Sequence, residues 1–208
     1  MKVVLFGASG MIGSRVLQEL VRRGHAVTAV ARRPEKIAAQ GAAAVKGDVS
    51  DATGVAAIAK GADAVVSAYA PPQDDPRSVV LAIRALLSGL AAAGVKRVIV
   101  VGGAGSLEVA PGVQLVDAPN FPASWKGIAI AHRDVIPVLK ESNLDWSYFS
   151  PAAFIQPGER TGKFRLGGTS LVSDAKGESR ISAEDYAVAL VDELEQSKHV
   201  RQQFTVGY

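Results

Sequence analysis

The stretch Lys2-Val3-Val4-Leu5-Phe6-Gly7-Ala8-Ser9-Gly10-Met11-Ile12-Gly13-Ser14-Arg15-Val16-Leu17-Gln18-Glu19-Leu20-Val21 decides the fold. Lys2 to Phe6 is a short apolar run, and Ile12, Val16, Leu17, Leu20 and Val21 then recur at helical spacing. The order is therefore strand, glycine-rich turn, helix. The glycines of the turn serve different ends. Gly7 permits a tight exit from the strand, Gly10 lets backbone approach a pyrophosphate with no Cβ between, and Gly13 lets the helix sit close on the sheet. With Ala8, Ser9, Met11 and Ile12 they form a loop whose N–H groups, at the positive end of a helix, face an anion. A glycine turn with no ligand is the plain alternative. The strand before it and the helix after it favour a dinucleotide site.

Outward from this unit the pattern repeats. Gly24 stops the helix, Ala26 to Ala31 reads as a strand, and Pro34 to Gln40 as a short helix with proline early. Strands at Ala43 to Lys46, Ala64 to Ser67 and Arg97 to Val101 alternate with helices at Asp51 to Lys60 and Ser78 to Ala93. A long irregular stretch, Gly102 to Ser124, precedes a helix from about Lys126 to Glu141 and a strand from Trp146 to Ser150. A Gly-rich segment to about Gly168, a short strand near Leu171, a helix from Ala183 to Gln196 and a strand from Gln203 to Val206 complete the chain. Alternation of this kind predicts an α/β fold, a doubly wound parallel sheet of the Rossmann type. The 208 residues suit one such domain, with the region from about 102 to 208 supplying the loops of a substrate site.

Composition narrows the chemistry. There is no cysteine, so disulfides, thiolate metal sites and cysteine nucleophiles are excluded, and redox work falls to a bound cofactor. A net charge of +3, spread along the chain, offers no basic face for nucleic acid. No apolar run has membrane-spanning length and no leader precedes the first strand, so a cytoplasmic protein is expected. Its expected partner is a small molecule, as a monomer or homodimer. No cluster of His and carboxylates has metal-ligand spacing, and no metal is expected.

The cofactor type is read at the end of the second strand. An Asp or Glu there would bind the ribose 2′-OH of NAD, but the chain reads Val30-Ala31-Arg32-Arg33. Arg32 and Arg33 could clasp a 2′-phosphate with planar, charged donors, which favours NADP over NAD; a solvated Arg pair is the alternative. Asp48 and Val49, after the third strand, are placed for the adenine edge, although Asp48 could equally cap the next segment.

The glycine pattern, Gly47-Asp48-Val49 and Asp145-Trp146-Ser147-Tyr148-Phe149-Ser150-Pro151 together resemble the short-chain dehydrogenase/reductase superfamily in its atypical branch. Ser150 to Phe154, Pro157 to Gly162 and Arg180 to Ala187 are similar to the NmrA-like proteins and the NADH-flavin reductases within it. The resemblance implies a hydride-transferring NAD(P)H-dependent oxidoreductase. Orthodox members use a Tyr and a Lys four residues apart, with a Ser at the end of the fifth strand. None of Tyr69, Tyr148, Tyr186 or Tyr208 has that Lys, the strand ends in Val101-Gly102-Gly103-Ala104, and Trp125 stands nearest to the Tyr position.

A flavin or similar planar acceptor suits this absence, because it delocalises the charge that a hydride brings and leaves the protein mainly to position it. Ala68-Tyr69-Ala70-Pro71, Gly102-Gly103-Ala104, Trp125 and Phe154 are the candidate walls, all at or beyond carboxyl ends of strands, and Ala68, Tyr69, Ala70, Gly102, Gly103 and Phe154 among them are also expected to contact the cofactor. Other readings are a small-carbonyl reductase using His132 or a loop serine such as Ser106 or Ser124, and a non-enzymatic redox sensor that binds NADP(H). His132 could also be an ordinary helix histidine, and His25 and His199 read as structural. Ser182 with Glu184 and Asp185 reads as a helix N-cap.

Overall fold

Runs buried on both faces form the central strands. The computed structural model describes residues 1–37 and 41–208. β1 (Lys2–Phe6) buries Val3, Val4, Leu5 and Phe6, and α1 (Met11–Arg22) follows the glycine turn with Val16, Leu17 and Leu20 on its buried stripe. The first half continues with β2 (Ala26–Ala31), β3 (Ala42–Lys46), α2 (Ala52–Ala59), β4 (Ala64–Ser67), α3 (Ser78–Ala93) and β5 (Arg97–Val101). The second half adds β6 (Glu108–Ala110), β7 (Val113–Gln114), α4 (Ala123–Arg133), α5 (Val135–Glu141), β8 (Asp145–Ser150) and β9 (Phe154–Gln156). It closes with β10 (Arg165–Gly167), β11 (Arg180–Ser182), α6 (Ala183–Gln196) and β12 (Gln202–Gly207).

Eight strands form one sheet in the order β3-β2-β1-β4-β5-β8-β12-β10, parallel throughout except for β10. Strand order reverses between β1 and β4, and there a parallel sheet opens a crevice at its carboxyl edge. One face carries α1 and α6 over Leu5, Val66, Ile99 and Phe149; the other carries α2, α3 and α5 over Val4, Val65, Val98 and Tyr148. This is the Rossmann-type architecture expected from the alternation.

Several elements differ from the expected ones. Pro34–Lys36 form only a single 3-10 turn, with Ile37 already extended, and positions 38–40 of the expected helix lie outside the described residues. The helix expected from Lys126 to Glu141 is two helices, α4 and α5, that meet at Asp134. Pro137 accounts for the break: it has no N–H for the Arg133 carbonyl, and its ring crowds that carbonyl. The strand expected near Leu171 lies earlier, as β10; around Leu171 the chain only brackets Glu108, which donates to Thr169 O and accepts from Leu171 N. Within Gly102 to Ser124 the backbone is partly paired, with β6 and β7 as a hairpin between two 3-10 turns.

A charged cluster ties α1 to the second half. Glu19, with its side chain almost wholly buried, accepts Arg160 Nε and Nη2, each at 2.8 Å, and Arg23 Nε at 2.8 Å. Arg23 continues to Asp192 and Glu195, and His25 meets Glu195 at 2.9 Å. The Arg160 hydrogen bonds, helped by Arg23 and opposed by burial, lower the Glu19 carboxyl from 4.5 to about 2. A carboxyl lowered in the folded state stabilises the fold fully above its ordinary value and loses that contribution as pH falls through the folded value. Unfolding by urea should therefore show an acid limb between about pH 4.5 and about pH 2. Glu19→Gln should flatten this limb and cost roughly 2 to 3 kcal/mol at neutral pH.

Candidate functional site

The crevice at the β1/β4 reversal holds a cleft of about 190 Å³. Phe6, Gly7, Ser9 and Gly10 line it from β1 and the turn, Val30, Ala31 and Arg32 from β2, Gly47, Asp48 and Val49 from beyond β3, and Ala68, Tyr69 and Ala70 from beyond β4. Gly7 N and Ala8 N both donate to Val30 O, at 3.1 and 3.3 Å, which stitches the turn to the neighbouring strand. Gly7 has φ +80°, and a Cβ there would stand 2.5 Å from Ala68 O. A Cβ at Gly13 would stand 2.0 Å from Gly7 O, so α1 rests directly on the turn.

Gly10 differs from both. A Cβ there would meet only Gly7 O, at 3.4 Å, so its open side faces the cleft rather than protein. Gly10 is also the N-cap residue of α1 and supplies no side-chain acceptor, and the first turn carries no acid. A helix start left in this state offers N–H groups and a positive dipole end to an anion. The residues present therefore fit the pyrophosphate of a dinucleotide.

Arg32 lines the cleft with its side chain exposed, and it has no ion pair among the described residues. Arg33 is exposed beside it but outside the lining. Asp48 lines the cleft and also holds its own turn, accepting Ser50 N at 2.9 Å and Ser50 Oγ at 2.7 Å. Those two bonds, chiefly the backbone one, hold its carboxyl below the ordinary value against the effect of burial, and nearby Arg32 adds to the lowering. Val49 is buried at the cleft floor. Ala8, Ile12 and Gly13 shape the turn from behind, and Met11 is exposed. Phe6, Val30, Ala31 and Gly47 join the lining without being candidates from sequence, although their place at strand ends beside the motif carries the signal.

The neighbouring strand ends form a second region, outside the cleft lining. Gly102 N donates to Phe149 O at 2.8 Å, and Gly103 N donates to Tyr148 Oη at 3.1 Å. Tyr148 in turn donates to His132 O at 2.7 Å, is fully buried, and is pushed well above the usual tyrosine range by that burial. From the opposite face Tyr186 Oη donates to the same Phe149 O at 2.6 Å. Two tyrosines thus brace the Gly102-Gly103 backbone, and both hydroxyl protons are committed to carbonyls. Sequence reading misses this brace, because no spacing links Tyr148 to Gly103 or Tyr186 to Phe149.

His132 packs its Cβ about 3.1 Å from where a Gly103 Cβ would lie, and its buried Nδ1 has no partner among the described residues. Burial lowers its ring to about 4, which favours the uncharged form at neutral pH. Trp125 and Phe154 stand 54% and 75% exposed, two large apolar groups left in water on segments that follow strand ends. Ser106 accepts Gln203 Nε2 at 2.8 Å and serves the packing of β12. His199 is bound to Glu193 and stacked on Phe204, a structural position as expected.

An open crevice at the reversal of a parallel sheet, entered by an uncapped glycine turn, defines a nucleotide-binding protein of the Rossmann class. The chain belongs to the NAD(P)H-binding family, whose model matches residues 7–197. It is similar to the crystal structure of a provisionally named exported protein from Burkholderia pseudomallei, 50% identical, with full coverage of both chains and a TM-score of 0.91. A provisionally named epimerase from Bacteroides thetaiotaomicron is 44% identical over all of this chain and 96% of its own, with a TM-score of 0.93. A provisionally named NADH-flavin reductase from Streptococcus pneumoniae is 35% identical over all of this chain and 99% of its own, with a TM-score of 0.90. These findings bear out the atypical short-chain dehydrogenase/reductase resemblance. Among the described residues no helix is long and apolar enough to cross a membrane, and no three His, Asp or Glu side chains are grouped to hold a metal.

The two inner glycines can be separated experimentally. Gly10→Ala should leave the unfolding free energy within about 1 kcal/mol of the parent while weakening dinucleotide binding by about tenfold or more. Gly13→Ala, which forces α1 off the turn, should lose both affinity and about 1 to 3 kcal/mol of stability. Calorimetric titration beside urea unfolding reads the two quantities.

Proposed function

We propose that the protein is an NADPH-dependent reductase that delivers hydride to a flavin or similar planar acceptor. The cleft carries this reading: an uncapped helix start faces it through Gly10, and Arg32 lines its β2 side without an ion pair among the described residues. In this assignment the N–H groups of the turn hold the pyrophosphate, Arg32 with Arg33 binds the 2′-phosphate, and Asp48 with Val49 borders the adenine. Ala68, Tyr69 and Ala70 lead the cofactor from the cleft towards Gly102 and Gly103.

The reduced nicotinamide supplies the hydride. The chain's own contribution is geometry. Tyr148 is spent on Gly103 and His132, and burial favours the uncharged form of His132, so neither is poised as the acid that an alkoxide would need. An acceptor that spreads its charge over a ring and takes its proton from solvent needs only alignment and exclusion of water. Exposed Trp125 and Phe154 supply apolar walls for such a ring. The 35% identity to a chain provisionally named an NADH-flavin reductase supports the same acceptor class.

The test is oxidation of NADPH and NADH by the purified protein with FMN, riboflavin and a simple quinone, beside equilibrium titration of both cofactors. Turnover with FMN and a preference for NADPH are expected. Arg32→Ala should raise the NADPH dissociation constant by about tenfold or more and leave that of NADH unchanged, since it removes a charge-assisted bond to phosphate alone. Equal effects on both cofactors would overturn the 2′-phosphate assignment. Tight NADPH binding with no turnover would instead mark a redox sensor.

A further inference from the structure

The Ser182-Glu184-Asp185 motif does more than cap α6. Ser182 Oγ does accept Asp185 N, at 3.0 Å, as an N-cap should. In a full capping box the acid three residues on would return to the cap residue's own N–H. Asp185 does not; Ser182 N donates to Tyr208 Oη instead, and the fully buried Asp185 carboxylate is turned to the segment after β9. It accepts Thr161 N and Gly162 N at 2.8 Å, Thr161 Oγ1 at 2.6 Å and Tyr208 Oη at 2.9 Å.

The segment it grips, residues 157–163, is exposed along its whole length and buries no apolar side chain. Its anchors are polar: Gly158 N on Glu184 Oε2 at 2.7 Å, Glu159 O on Ser182 Oγ at 2.7 Å, Arg160 on Glu19, and Thr161 with Gly162 on Asp185. Glu184 is itself held by Arg15 of α1 at 2.9 Å. Immediately upstream lies β9, which among the described residues pairs only with the three-residue β11 and carries Phe154. A two-stranded sheet of three pairs has little stability of its own. Ala153 N on Ser179 Oγ and Ile155 against the core hold one side of β9; the strap that follows holds the other, and the position of Phe154 depends on both.

We infer that Asp185, together with Glu19 and Glu184, is a positioning residue for the acceptor side of the site: these carboxylates clasp the strap 157–163 to α1 and α6 and so fix β9 and Phe154. The inference rests on the acceptor reading given under Proposed function. It gives α1 two roles. Its start faces the dinucleotide cleft, and its Arg15 and Glu19 hold the wall against which the acceptor lies.

The test uses Asp185→Asn and, as a milder change at an exposed residue, Thr161→Val, with Phe154→Ala for comparison. Trypsin should cut at Arg160 or Lys163 about tenfold faster in both strap variants, the factor that corresponds to one lost charge-assisted hydrogen bond. The KM for FMN should rise severalfold while kcat and the NADPH dissociation constant stay within about twofold. Phe154→Ala should raise the FMN KM with trypsin cleavage unchanged. Faster cleavage with an unaltered FMN KM, unaltered cleavage in both strap variants, or an equal loss of NADPH affinity would overturn the inference while leaving the reductase reading intact. If the parent protein neither reduces FMN nor quenches its fluorescence in the presence of NADP+, the acceptor reading itself fails and takes this inference with it.

Discussion

The tightest packing in the site region is that of α1 on the turn that precedes it. No side chain at position 13 can be accommodated, since the Gly7 carbonyl lies 2.0 Å from where a Cβ would be. That contact sets the height of α1 over the sheet, and with it the direction in which the first-turn N–H groups point. The stitching of Gly7 and Ala8 to Val30 O then ties the turn to β2, whose end carries Arg32. Cleft floor, helix start and the backbone that carries Arg32 are thus placed by backbone packing, without a side-chain contact between them.

A second constraint acts at the ends of β5 and β8. Glycine at 102 leaves room for the Tyr148 ring, which a Cβ there would meet at 2.4 Å. The hydroxyl of that ring is then consumed by Gly103 N and His132 O. In the orthodox members of the superfamily a tyrosine hydroxyl faces the substrate; here one lies beneath the backbone and supports it. A buried phenol with both its hydrogen-bonding roles filled, and with its ionisation opposed by burial, is a scaffold group.

The charged residues that join α1 to the second half follow a similar logic. Glu19, Glu184 and Asp185 accept from Arg15, Arg23, Arg160 and main-chain N–H groups, so that their negative charge is met by donors. Such contacts are directional and short-ranged. They fix where a segment lies even when that segment has no apolar surface to bury, which hydrophobic packing alone cannot do.

The first half of the fold is legible because its signals are local. The apolar run of β1, the stripe of α1 and the three glycines each lie within one turn or one strand, and a period or a turn conformation is a property of neighbouring residues. The break before Val135 is equally available in Pro137, but the longer periodic run around it masks the signal. The Tyr148 brace and the clasp on the strap are not legible. Arg160 and Glu19 lie 141 residues apart, and Gly103 and Tyr148 lie 45 apart, so no spacing rule links them. The sequence by itself determined a doubly wound sheet, a dinucleotide-type turn and an arginine where NAD-type chains carry an acid. Only the tertiary structure decided which polar groups were free and which were spent, because a hydrogen bond is a relation between two groups, and the fold alone brings distant ones within reach.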